Sequence, residues 1–170
     1  MPRKTKQYTL QELTEAFRKL GARNPELSAR SQMTEGVPRF AMLAFLRQAW
    51  KYVIDEDDES WIDDLVNNAD EKRNEPCSGL GPAVKRMLAA GVPRADIVDV
   101  VRITQYQLLF NLCYQLSDPS EVDFLDSTMP PVDWKLFEVN AKGEALAPMD
   151  GLYESVLSLD PTGREMCPRK

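Results

Sequence analysis

Histidine is absent from all 170 residues. That absence removes the Ser-His-Asp and Cys-His routes to an activated nucleophile, the commonest general base, and most zinc geometries. Cysteine is nearly as scarce: Cys77, Cys113 and Cys167 form an odd and widely scattered set. Three dispersed thiols make neither a four-thiolate metal site nor a disulfide framework, and they fit the reducing cytoplasm. No apolar run approaches the roughly 18 residues that suggest a membrane span. The basic start, Met1-Pro2-Arg3-Lys4-Thr5-Lys6, leads into a polar amphipathic pattern without the apolar stretch of a secretory signal. The expectation is a cytoplasmic chain with no membrane partner, no cofactor and no metal site.

What is present is ordinary for a globular chain: 43% apolar and 28% charged residues, at a length that can bury a core without staples. The net charge is −6, and it is unevenly spread. Residues 1–54 hold ten Lys/Arg against four Asp/Glu, whereas 55–75 hold ten Asp/Glu against two Lys/Arg. Residues 117–170 are acidic again, with eleven against five. Such a chain repels phosphate, so nucleic acid is not an expected partner.

Thr9-Leu10-Gln11-Glu12 is a capping box, and Leu10, Leu13, Phe17 and Leu20 follow at helical spacing up to Gly21. Residues 22–36 read as polar and irregular, with at most a short helical turn. Pro38 suits the first turn of a second helix to about Ile54. Its two apolar faces, Met42, Leu46, Ala49 and Val53 and then Phe40, Leu43, Trp50 and Ile54, predict a central position. Trp61, Ile62, Leu65 and Val66 predict a third helix over about 59–69, and Gly81-Pro82 opens a fourth that Gly91 closes. Pro93 restarts a long apolar pattern to Leu116, read as a second core helix with a break near Ile103-Thr104, where β-branched residues cluster. After the loop punctuated by Pro119, Pro130 and Pro131, residues 134–139 read as a short strand with a turn over 140–143 and a return strand. Asp150 is placed to cap a short helix through Leu159, and Asp160-Pro161-Thr162-Gly163 has the residue order of a type I turn.

Few constellations carry chemistry. Asp55, Glu56, Asp57, Asp58 and Glu59, followed by Asp63 and Asp64, concentrate carboxylates but lack the spacing of an EF-hand loop. They suit a basic partner; they also suit a solvated loop at a helix N-terminus, or pairing with the basic N-terminal third. Cys77-Ser78-Gly79-Leu80-Gly81 matches neither a P-loop nor a dinucleotide fingerprint and reads as an entry loop. The helix–Gly91–helix outline over 84–102 carries Asp96 and Asp99 where a DNA-reading helix would face phosphates. Trp50, Trp61, Tyr106, Phe110 and Tyr114 are placed in the core. Asp160, Thr162 and Arg164 mix three polar groups in a turn whose own chemistry accounts for them.

The expected fold is mainly α: about five main helices over 9–117, a flexible basic start over 1–8 and a small α+β appendage over 118–170, together one domain. The favoured function is non-catalytic protein–protein interaction, an acidic adaptor or an immunity-type inhibitor, with 55–59, Asp63 and Asp64 facing a basic partner. The alternative is a histidine-independent enzyme or a small-ligand pocket using buried carboxylates.

Overall fold

The computed structural model describes residues 8–69, 76, 78–118 and 133–168. Cys77, the basic start up to residue 7, and the stretch with Pro119, Pro130 and Pro131 lie outside the described residues. Among the described residues the structure is mainly helical, 61%, with one small antiparallel two-stranded sheet. Seven α-helices stand among the described residues rather than about five. None of them is long and apolar enough to cross a membrane. By contact the chain divides into two compact units, Met1–Trp50 with Leu109–Lys170, and Lys51–Leu108.

In the first unit α1 spans Leu10–Lys19. The Thr9 side chain accepts the N–H of Glu12 at 3.2 Å, while the Glu12 carboxylate accepts the N–H of Thr9 at 2.9 Å. The capping box is therefore closed in both directions. Residues 22–36 depart from the sequence expectation, because α2 runs over Pro25–Glu35. Pro25 occupies its first turn, where a missing N–H costs nothing. Gly36 ends it in the left-handed region at φ 71. Helix α3 covers Arg39–Ala49 and tightens into a 3-10 turn over Trp50–Tyr52, short of the expected Ile54. Leu13, Phe17 and Ala29 form a core into which half-buried Leu10, Ala22, Phe40 and Leu43 pack. Phe17 and Phe40 meet edge to face, 5.4 Å between centroids at 81°, the arrangement ring quadrupoles favour.

Strands β1, Phe137–Val139, and β2, Ala145–Pro148, pair as the sequence predicts. Their turn is organised by Asn140, whose side-chain oxygen accepts the N–H groups of Lys142 and Glu144 at 2.8 and 3.1 Å. A short helix α7, Leu152–Val156, follows and ends in a 3-10 turn over Leu157–Leu159. Asp150 does not cap α7: Gly151 is the N-cap residue, and the Asp150 carboxylate pairs with Lys135 at 3.1 Å. Leu152 and Val156 are fully buried, and the indole of Trp50 donates to the Val156 carbonyl at 3.0 Å. Tyr153 stacks edge-on against Phe110 and Tyr114.

The second unit holds α4, Ser60–Asn67, α5, Leu80–Ala89, and the first part of α6, Arg94–Ser117. Ile62, Val84, Ile97 and Val98 make its core, with Ile54, Trp61, Leu65 and Met87 packed around them. Helix α5 approaches α4 so closely that a Cβ on Gly81 would stand 2.6 Å from the Leu65 carbonyl oxygen, which requires glycine there. The guanidinium of Arg102, buried in α6, donates to the Ile54 carbonyl, and Gln105 accepts the Ile54 N–H at 2.8 Å. The chain entering this unit is thus strapped to α6.

Helix α6 corrects two expectations. It is continuous through Ile103-Thr104, with the Thr104 hydroxyl donating to the Val100 carbonyl at 2.7 Å. A threonine bonded back to the preceding turn stays within the helix at small cost. Nor is α6 buried all round: Ile97, Val98, Arg102 and Cys113 are buried, but Val100 is 61% and Leu108 59% exposed. Of the five aromatic residues placed in the core, Trp50 is buried, whereas Trp61, Tyr106, Phe110 and Tyr114 are half-buried.

Candidate functional site

The acidic segment enters α4, and its carboxylates begin by shaping that entry. Asp55 accepts the N–H of Asp57 at 3.0 Å, and the Asp58 N–H closes onto the Asp55 carbonyl at 3.3 Å. Asp58 then accepts both the N–H and the hydroxyl of Ser60, at 2.9 and 2.5 Å. The Ser60 hydroxyl, and after it the Ser60 N–H, hold the Asp58 carboxyl below its ordinary value. In this way the first residue of α4 receives a charge-assisted acceptor where the macrodipole welcomes one. Asp63 pairs with Arg94 at the start of α6. That bond raises the Arg94 pKa further, although both side chains are substantially exposed and the pair contributes little to stability.

All seven sequence-selected carboxylates therefore lie within the stretch leading into and along α4. Asp55, Asp57, Asp58, Asp63 and Asp64 are exposed, and Glu56 and Glu59 are half-buried. Among the described residues no group of three or more His, Cys, Asp or Glu side chains is arranged to hold a metal ion. Arginines of the N-terminal third have carboxylate partners of their own: Arg23 pairs with Glu165 at 2.7 Å and Arg30 with Glu26 at 2.7 Å.

A second feature was not legible in the sequence. A half-open cavity of about 290 Å³ lies in the first unit. Phe17, Leu27, Met42, Leu43, Leu46 and Leu159 supply its apolar lining. Its polar lining is Arg23, Asn24, Ser28, Arg39, Ser155 and Ser158. These residues come from chain segments more than a hundred positions apart, so no local motif announces them. The start of α2 contributes three of them, and α2 itself lacks the apolar stripe by which a helix is recognised.

The turn after Leu159 carries a buried carboxylate. Asp160, only 5% exposed, accepts the N–H and hydroxyl of Thr162 at 3.1 and 2.6 Å and the N–H of Met166 at 2.9 Å. The Gly163 N–H closes the turn onto the Asp160 carbonyl at 2.9 Å. Glu165 and Met166 sit in the left-handed region, at φ 54 and 59, which costs energy for residues bearing a Cβ. The bonds to Asp160 offset that cost and hold Glu165 where it meets Arg23. Comparison of the chain with protein-family models, with curated proteins and with solved structures found no match.

Proposed function

We propose that the protein is a non-catalytic binding protein of the reducing cytoplasm, an acidic adaptor or immunity-type inhibitor, whose segment 55–64 docks a basic protein. The observation that supports this reading is the grouping of seven carboxylates within ten residues, five of them exposed, on a backbone pinned by its own hydrogen bonds. A fixed field of one sign steers an oppositely charged partner and chiefly raises the rate of encounter. The enzymatic alternative draws on buried carboxylates, and Asp160 is occupied by three donors in a turn. Its role there is structural.

The test begins with a pull-down from the native host, with mass spectrometry to identify the partner. Association of the purified pair is then followed by stopped flow for the wild type and for the double variant Asp57→Asn/Asp64→Asn. Asp58 and Asp63 are left in place because Ser60 and Arg94 bond to them. The double variant should associate severalfold more slowly, and raising the salt should slow the wild type in the same way, since screening acts over about 8 Å at physiological ionic strength. An association rate indifferent to both changes would sink the reading.

A further inference from the structure

We infer that the cavity of the first unit is a binding site for a small amphipathic anion, a carboxylate carrying an apolar body of about eight carbons. The size follows from the volume: about 290 Å³ holds on the order of ten non-hydrogen atoms at roughly 30 Å³ each. The apolar body follows from the lining, in which Phe17, Met42, Leu43 and Leu46 belong to the packed faces of α1 and α3. Leu27, 65% exposed, stands at the same cavity with most of its side chain uncovered. A bound hydrocarbon would cover it.

The charge of the ligand follows from the polar lining. Arg23 and Arg39 are its two ionisable residues, and neither Asp nor Glu is among them. Each guanidinium carries five N–H donors in a planar fork suited to carboxylate. Arg23 directs Nη1 to Glu165, and Arg39 directs Nε to Ser31 and Nη2 to Glu35. These are partly exposed pairs of small individual worth, which orient the two side chains and leave further donors to turn toward a ligand. The hydroxyls of Ser28 and Ser155 add neutral donors to the same lining, while that of Ser158 donates to the Ser155 carbonyl at 3.0 Å. The eleven-residue helix α2 also begins here, and its N-cap residue Asn24 makes no side-chain capping bond. Its positive end adds to the field of the two arginines. A cation would meet two guanidinium groups, and a neutral alcohol would offer their remaining N–H groups no charged acceptor.

The inference is independent of the acidic segment. The full-length protein is titrated with octanoate, octan-1-ol and octylammonium at constant ionic strength, and the amide resonances of residues 22–24, 26–28 and 155–159 are followed. Octanoate should shift them saturably; octan-1-ol should bind about tenfold more weakly or worse, the loss of one charge-assisted contact, and octylammonium should leave them unmoved. Arg39→Gln and Arg23→Gln should each weaken octanoate about tenfold. Ser158→Trp, which fills the cavity, should abolish its effect. The double variant Asp57→Asn/Asp64→Asn should bind octanoate like the wild type. Equal affinity for the acid and the alcohol, shifts with the ammonium, or no shifts with octanoate would each overturn the assignment. Should an arginine variant lose its helical circular dichroism, the three-ligand comparison on the wild type decides alone.

Discussion

Cys113 lies within α6, 1% exposed, and burial pushes its thiol from 9.0 up to about 11. A neutral thiol is the form that an apolar surrounding tolerates, so the folded state holds its proton longer than the unfolded chain does. The sign follows directly: this contribution to stability is complete below pH 9 and is lost as the pH rises toward 11. Linkage makes the loss about 2–3 kcal/mol. Urea unfolding of the wild type at pH 8 and pH 10.5 should therefore show a steeper fall than Cys113→Ala. Parallel pH profiles for the two proteins would mean that the thiol titrates alike folded and unfolded. The same burial should make Cys113 slow toward thiol reagents, while Cys167, exposed near the end of the chain, should react at once.

Among the elements, α1 was the most legible, because its signal is local. Thr9, Glu12 and the spacing of Leu10, Leu13 and Phe17 state a start and a face within nine residues, and the structure has both. Thr9→Ala removes the acceptor of the Glu12 N–H and should cost about 1 kcal/mol in chemical denaturation, whereas Thr9→Ser should restore most of it. An unchanged midpoint in the alanine variant would show the cap to be frayed in solution. Helix α2 gave no such face, since only Ala29 of its eleven residues is buried. Its evidence lies at its ends, in Pro25 and Gly36, and in the Glu26–Arg30 pair one turn apart. Those signals are weaker than periodicity and were outweighed by the polar composition between them. The break expected at Ile103-Thr104 failed for the opposite reason. Helix propensities differ by only a few tenths of a kcal/mol among ordinary residues, and packing on either side, at Ile97 and Val98 and again at Cys113, overrides them.

At the scale of the whole molecule, composition excludes more than it assigns. With no histidine, and with Cys77, Cys113 and Cys167 far apart in sequence, purified protein dialysed without chelator should contain no stoichiometric zinc, iron or copper. One equivalent of any of these by elemental analysis would contradict that expectation. The change of character after Ser117 suggested a divide between 117 and 118. By contact, Leu109–Lys170 groups with Met1–Trp50. Capping boxes, turn residues, helix-ending glycines and the acidic run were determined by the sequence alone, since each acts over a few bonds or one helical turn. Which side of α6 is covered, and that Arg23, Arg39 and Ser158 share one cavity, only the tertiary structure decided. A helix apolar on every side does not specify which face meets a neighbour. A cavity is likewise assembled from side chains whose proximity depends on packing, not on their spacing along the chain.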